Sequence, residues 1–124
     1  MSQKTILYVE DNEFNRKIVK QLLAQTKYRL REAADGEAGL RMALEEAPDL
    51  ILMDVQLPKM SGLEATRRLR ADPQTAAIPI VVITSYALSG DAEKAKAAGA
   101  TTYLAKPYSP RDLLAKIREI VPEA

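Results

Sequence analysis

Apolar and polar residues along the chain fall into two alternating rhythms. Five short apolar runs, "TILYV" (5–9), "LREAA" (30–34), "LILM" (50–53), "IVVI" (80–83) and "TYLA" (102–105), predict strands, the second being the weakest. Between them lie stretches with helical spacing. Phe14, Ile18, Leu22 and Leu23 form one stripe, Leu40, Ala43, Leu44 and Ala47 a second, and Leu63, Thr66 and Leu69 a third. Ser61 with Glu64 three residues on predicts a capping box for the third helix. "GDAEKAKAAG" (90–99) predicts a helix whose apolar positions are the small Ala92, Ala95 and Ala98. The last helix opens on Ser109 as N-cap with Pro110 at its first position, and its stripe is Leu113, Leu114, Ile117, Ile120 and Val121. Gly36 and Gly99 mark a helix start and a helix stop. "PQTAAIP" (73–79) reads as a connecting loop.

Strand and helix therefore alternate five times, which predicts an α/β fold: right-handed crossovers and a doubly wound parallel sheet with helices on both faces. Ligands of open sheets of this kind bind beyond the carboxyl ends of the strands, where strand order reverses. The residues following each run therefore belong together. Glu10 and Asp11 follow the first run, Asp54 the third, Thr84 and Ser85 the fourth, and Lys106 and Pro107 the fifth. The second run ends in two alanines, as suits an edge strand.

Composition narrows the chemistry. The length of 124 residues suits one domain, 1–124. Eighteen basic against seventeen acidic residues argue against a nucleic-acid binder, which would carry a basic face. The absence of cysteine and histidine removes disulfides, thiolate chemistry, imidazole ligands and a phosphohistidine on this chain. No apolar run approaches the ~20 residues of a membrane span. With no signal-peptide pattern at the N-terminus, a cytoplasmic location is the default expectation.

Each polar strand-end residue also has an ordinary structural use. Asp54 can cap a turn, Asp11 can cap the helix starting near Asn12, Thr84 is a good strand residue, and Lys106 can be a surface lysine. Taken jointly they are complementary: three carboxylates, a hydroxyl and an ammonium in one crevice. Clustered carboxylates call for a hard divalent cation. With few carboxylates, Mg2+ is the expected ion, ligated by Glu10, Asp11 and Asp54, with the backbone carbonyl of Gln56 as a further candidate ligand. Thr84 and Lys106 suit a phosphate, one through its hydroxyl and one through charge. An aspartate so placed can form an aspartyl phosphate by in-line transfer.

"YVEDN", "LILMDVQLPKMSGLE", "IPIVVITS" and "AKP" stand in the order and spacing that make this sequence resemble receiver domains of two-component response regulators, from about Thr5 to Val121. Its "VEDNEFN" and "MDVQLPKMSGLE" look most like single-domain regulators of the DivK kind and receiver modules of hybrid kinases. The resemblance implies the flavodoxin-like, chemotaxis-regulator fold, with strand order 2-1-3-4-5 and five helices. It implies Asp54 as phosphoacceptor, Asp11 on Mg2+ directly and Glu10 through water. Thr84 becomes the switch hydroxyl, Tyr103 the switch aromatic, and Lys106 the phosphate-contacting lysine, followed by a cis bond to Pro107. Pro58 and Gly62 match the loop after the acceptor. Ser85 departs from the family's usual alanine or glycine and bears on access to Asp54, while Gln56 and Tyr86 flank the route of a hydrolytic water.

The implied protein is a signalling phosphoprotein rather than an enzyme. It takes a phosphoryl group from a histidine kinase, a histidine phosphotransfer protein or a small phosphodonor, and loses it slowly. Its partner contacts are with proteins, not nucleic acid or membrane, and it acts as a monomer or weak dimer. The alanine-rich helix, the last strand and the last helix form the expected output face toward an effector. Arg16, Lys17 and Lys20 on the first helix are candidate contacts for the phosphodonor. Three rivals remain open. A haloacid-dehalogenase-type phosphatase would want an aspartate where Gln56 stands. A flavin carrier would not place Glu10 and Asp11 at its phosphate loop. A degenerate receiver acting only as a binding module would share the whole pattern.

Overall fold

The computed structural model describes residues 3–84 and 90–123. Strands β1 (Thr5–Val9), β2 (Arg29–Ala33), β3 (Leu50–Asp54), β4 (Ile80–Thr84) and β5 (Thr102–Ala105) alternate with helices α1 (Glu13–Ala24), α2 (Gly36–Glu46), α3 (Gly62–Ala71), α4 (Asp91–Ala98) and α5 (Pro110–Ile120). Each strand lies within one residue of its apolar run. All neighbouring strands are parallel, in the order β2-β1-β3-β4-β5, as expected. The chain steps from β1 outward to β2 and then returns past β1 to β3. The order therefore reverses between β1 and β3, and this is where a crevice opens.

Burial follows sheet position. β3 and β4 are buried along their whole length, because helices cover them on both sides. β2 and β5, at the edges, are only partly covered. Two apolar layers result. Ile6, Tyr8, Leu50, Leu52, Val81 and Ile83 pack against Val19 and Leu23 of α1 and Leu113 and Ile117 of α5. Leu7, Val9, Ile51, Met53, Ile80 and Val82 face Ala43 of α2, Ala65 and Leu69 of α3, and Ala95 of α4.

Several helical stripes differ from their sequence reading. In α1, Phe14 is 70% and Ile18 42% exposed. The inward positions of the first turns belong instead to Asn15 and Arg16, which bond to Glu10, and only Val19 and Leu23 are fully buried. The helix faces a carboxylate at one end and the apolar core at the other, so counting apolar residues alone rotates its predicted face. Asn12, not Asp11, is the N-cap, its side chain accepting from the Asn15 N–H at 2.9 Å. In α2, Leu44 is 42% exposed, while the small Gly36, Gly39 and Ala43 are buried. A Cβ on Gly39 would lie 2.8 Å from Val9, so absent side chains let this helix approach the sheet closely.

The capping box at α3 is half formed. Ser61 accepts from the Glu64 N–H, but the Glu64 carboxylate pairs with Arg67 and Arg68 instead of turning back. At α5 the box is complete, through Ser109 and Asp112, with Pro110 opening the helix. α4 starts at Gly90 without a side-chain cap. Ala95 and Ala98 are buried, whereas Ala92 is only partly so.

Candidate functional site

The alternation of the strands decides which face each strand-end side chain meets. Tyr8 and Leu52 belong to the layer under α1 and α5. Continuing two residues along each strand brings Glu10 and Asp54 to that same face. Lys106 follows Leu104, which packs on the same layer. The structure brings these three side chains together: the Lys106 Nζ lies 2.7 Å from Asp54 Oδ2 and 3.6 Å from Glu10 Oε1. Glu10 is 1% and Asp54 3% exposed, whereas the lysine side chain keeps 27% of its surface in solvent. Burial works against the charge of Lys106. The bond and charge of Asp54, with Glu10 and Tyr108 beyond it, nevertheless raise its pKa above the ordinary value. The site therefore keeps a firmly protonated ammonium on a buried carboxylate.

Asp54 is fixed from its other side as well. The Gln56 N–H donates to its Oδ1 at 2.8 Å. Gly62 closes the following loop, donating its N–H to Val55 O at 2.9 Å and lying so near that a Cβ would fall 1.9 Å from Asp54 O. Lys59, between them, adopts a left-handed φ of 69°, and the Met60 N–H reaches back to Pro58 O at 2.7 Å. The loop is thus a tight cradle under the carboxylate.

Glu10 is more constrained than a metal ligand need be. The Tyr8 hydroxyl and the Asn15 amide both donate to Oε1 at 3.3 Å, and the Asn12 N–H donates to Oε2 at 3.1 Å. Arg16 donates to the Glu10 carbonyl at 2.7 Å. Arg16 is therefore half-buried and turned inward, a correction to its placement with Lys17 and Lys20 on an outer docking side. Asp11 is exposed at the rim. Among the described residues, no three carboxylates converge closely enough to form a metal cluster. The donors nevertheless suit a hard divalent cation. Glu10 and Asp54 share one ammonium, Asp11 follows Glu10 at the exposed rim, and every candidate ligand atom is oxygen.

Thr84 ends β4, 1% exposed, and its carbonyl accepts from the Lys106 N–H at 2.7 Å. It falls on the opposite face from Asp54's side chain, in line with Ile80 and Val82 toward α4. Tyr103 pairs with Val82 in register and packs on that same layer, half-buried. Thr84 and Tyr103 thus share a face. The Lys106–Pro107 peptide bond is cis. Ser85 and Tyr86 lie outside the described residues.

Sequence reasoning missed Tyr8, Asn15 and Tyr108. Tyr8 stands inside an apolar run and reads as core, yet a buried tyrosine hydroxyl must find a partner. Its pKa is pushed far up, by burial first and then by Tyr108, Glu10 and Asp54. It remains a hydrogen-bond donor throughout the neutral range. Asn15 and Tyr108 also line a groove of about 620 Å3 between α1 and α5, along with Ile18, Leu22, Lys106 and Pro107. The groove is mostly apolar and its wall is shared with the site.

Known proteins carry the same architecture. Residues 6–118 match the response regulator receiver domain family. The polar-differentiation response regulator DivK of Brucella anthropi is 37% identical over 121 residues, covering 98% of both chains. The receiver domain of the sensor histidine kinase PA1611 from Pseudomonas aeruginosa, with magnesium coordinated in its active-site cleft, superposes with a TM-score of 0.88 at 37% identity, over 96% of this chain and 98% of that one. The chemotaxis response regulator CheY4 of Vibrio cholerae does so with a TM-score of 0.90 at 31% identity, over 97% of this chain and all of that one. Fold, strand order and whole-chain similarity agree, and this chain belongs to the response regulator receiver domain family of two-component signalling.

Proposed function

We propose that residues 1–124 act as one phosphoacceptor receiver domain in which Asp54 takes a phosphoryl group from a phosphohistidine. The observation that carries this reading is the Lys106 ammonium, 2.7 Å from a carboxylate that is otherwise buried at the switch point of the sheet. A carboxylate oxygen of Asp54 attacks phosphorus, the P–N bond to the donor imidazole breaks, and the imidazole leaves as an ordinary neutral base after taking up a proton. Lys106 exchanges part of its contact with Asp54 for the new phosphoryl oxygens, and the Thr84 hydroxyl turns to donate to them. Water later cleaves the acyl phosphate slowly. Small acyl phosphates can replace the phosphohistidine, because the receiver supplies the groups that stabilise the transferring phosphoryl.

Asp11, Asp54 and the Gln56 carbonyl are the groups that would hold Mg2+. Glu10, with both oxygens already bonded by protein donors, would act through water. The ion, when bound, neutralises charge on the transferring phosphoryl group. The Pseudomonas receiver domain, with magnesium in its cleft, supports magnesium as the ion.

The phosphodonor, a histidine kinase or histidine phosphotransfer protein, meets the α1–α5 groove beside Lys106. Phe14 and Ile18 offer apolar contact there, and Lys17 and Lys20 offer exposed charge. The signal leaves through the face of α4, β5 and α5. Thr84 and Tyr103 lie on the layer under α4, and that helix is anchored by alanines that bury little area.

The decisive experiment is incubation with Mg2+ and acetyl phosphate, or with beryllofluoride, followed by mass measurement and amide spectra near Asp54 and Tyr103. The wild-type chain gains one phosphoryl group and both regions shift. Asp54→Asn abolishes labelling and keeps the native spectrum, since it lowers the negative charge around Glu10. An unlabelled wild-type chain, with unmoved spectra, would identify a receiver that acts only as a binding module.

A further inference from the structure

We propose that Tyr8 is a positioning residue: its hydroxyl holds Glu10, and Glu10 so held leaves Lys106 on Asp54. The inference rests on the phosphoacceptor reading for its consequence and on the geometry for its mechanism.

Packing alone does not explain the hydroxyl. Tyr8 is fully buried in the layer formed by Ile6, Leu52, Ile83 and Leu113, where a phenyl ring would fill the same space. A buried hydroxyl must be desolvated, and this one donates to Glu10 Oε1 at 3.3 Å. That oxygen is the crowded one. It also receives the Asn15 amide at 3.3 Å and faces the Lys106 Nζ at 3.6 Å. The lysine is thus shared unequally, at hydrogen-bond distance from Asp54 and beyond it from Glu10. A buried carboxylate that loses a donor recruits another. With Tyr8 reduced to phenylalanine, Lys106, 3.6 Å from Oε1, is a charged donor within reach of that oxygen, and the Tyr108 hydroxyl, which also faces Tyr8 and Glu10, is its neutral competitor. Lys106 would then shift toward Glu10 and away from the oxygen that must accept the phosphoryl group.

Tyr28 is the control. Its hydroxyl is equally committed, donating to Val121 O, but it lies in the same apolar layer at a distance in sequence from every site residue. The experiment compares Tyr8→Phe and Tyr28→Phe with the wild-type chain. The first readout is the rate of labelling by acetyl phosphate with Mg2+. The second is the 15N resonance of the Lys106 Nζ in the unphosphorylated protein without metal. Tyr8→Phe is expected to label about tenfold more slowly, the scale of one hydrogen bond to a charged group, and to shift the Lys106 resonance. Tyr28→Phe is expected to lose stability while changing neither. Wild-type labelling and an unmoved Lys106 resonance in Tyr8→Phe overturn the proposal, whatever the variant's stability. If the wild-type chain is never labelled yet Tyr8→Phe moves the Lys106 resonance, the phosphoacceptor reading fails and the Tyr8–Glu10–Lys106 arrangement stands.

Discussion

At Gly62 a single hydrogen atom separates a working loop from a broken one. A Cβ there would meet the Asp54 carbonyl oxygen at 1.9 Å and its carbon at 2.7 Å, both of them backbone. Neither can yield without carrying the Asp54 side chain along. Gly62→Ala is therefore expected to cost at least the ~1–3 kcal/mol typical of overpacking and to slow labelling of Asp54. Chemical denaturation and acetyl phosphate labelling check the two effects, and a wild-type result in both would refute the cradle argument. The polar strand ends were legible as candidates because each interrupts an apolar run where a buried strand should otherwise finish. Tyr8 and Asn15 were not. A tyrosine within "TILYV" satisfies the apolar pattern, and an asparagine in a first turn reads as a cap. Their inward direction depends on where Glu10 lies in space.

Among the elements, α4 shows how helices are secured unequally at their two ends. Its C-terminal end is tied to the lower edge of the sheet by Arg70 of α3. That guanidinium donates to Gly99 O at 2.7 Å, Ile78 O at 2.6 Å, Ala76 O at 3.0 Å and the Thr101 hydroxyl at 3.3 Å. Thr101 in turn accepts from the Ile80 N–H at 3.0 Å. One side chain thereby joins α3, the 73–79 loop, the end of α4 and the approach to β5. Its positive charge also suits a helix C-terminus, and burial lowers its pKa from the ordinary arginine value. Arg70→Met, which keeps the apolar stem against Gly99, is expected to destabilise the chain by ~1–3 kcal/mol. Hydrogen exchange should quicken at the end of α4 and the start of β4, while Asp54 labelling stays at the wild-type rate. Unchanged exchange at Gly99 and Ile80 would show that Arg70 ties nothing. No periodicity announces this residue, since its partners are three backbone carbonyls and one hydroxyl, up to 31 positions away.

On the scale of the whole molecule, the α1–α5 groove and the site form one continuous wall through Asn15, Lys106 and Tyr108. Phe14 and Ile18 stay exposed on its flank. Replacing both by serine, which uncovers no core, is expected to change stability by no more than ~0.5 kcal/mol. Labelling by acetyl phosphate should continue at the wild-type rate, whereas transfer from the phosphohistidine donor should fall about tenfold, as loss of interface anchors does. Equal loss with both donors would place the two residues in the fold rather than in docking. The inward turn of Arg16 makes Lys17 and Lys20 the better charge test on the same helix.

By itself the amino-acid order determined the alternation of strands and helices, the caps at Ser61 and Ser109, and which polar residues end which strands. Those features depend on near neighbours, through backbone geometry and a period of two or 3.6 residues. Only the tertiary structure decided that α1 turns Asn15 and Arg16 toward Glu10 and leaves Phe14 in solvent. It also decided that Arg70 fastens α4, and that Lys106 leans on Asp54 more closely than on Glu10. These outcomes depend on distances between segments far apart in the chain, where the balance among several donors for a few buried oxygens is settled by packing.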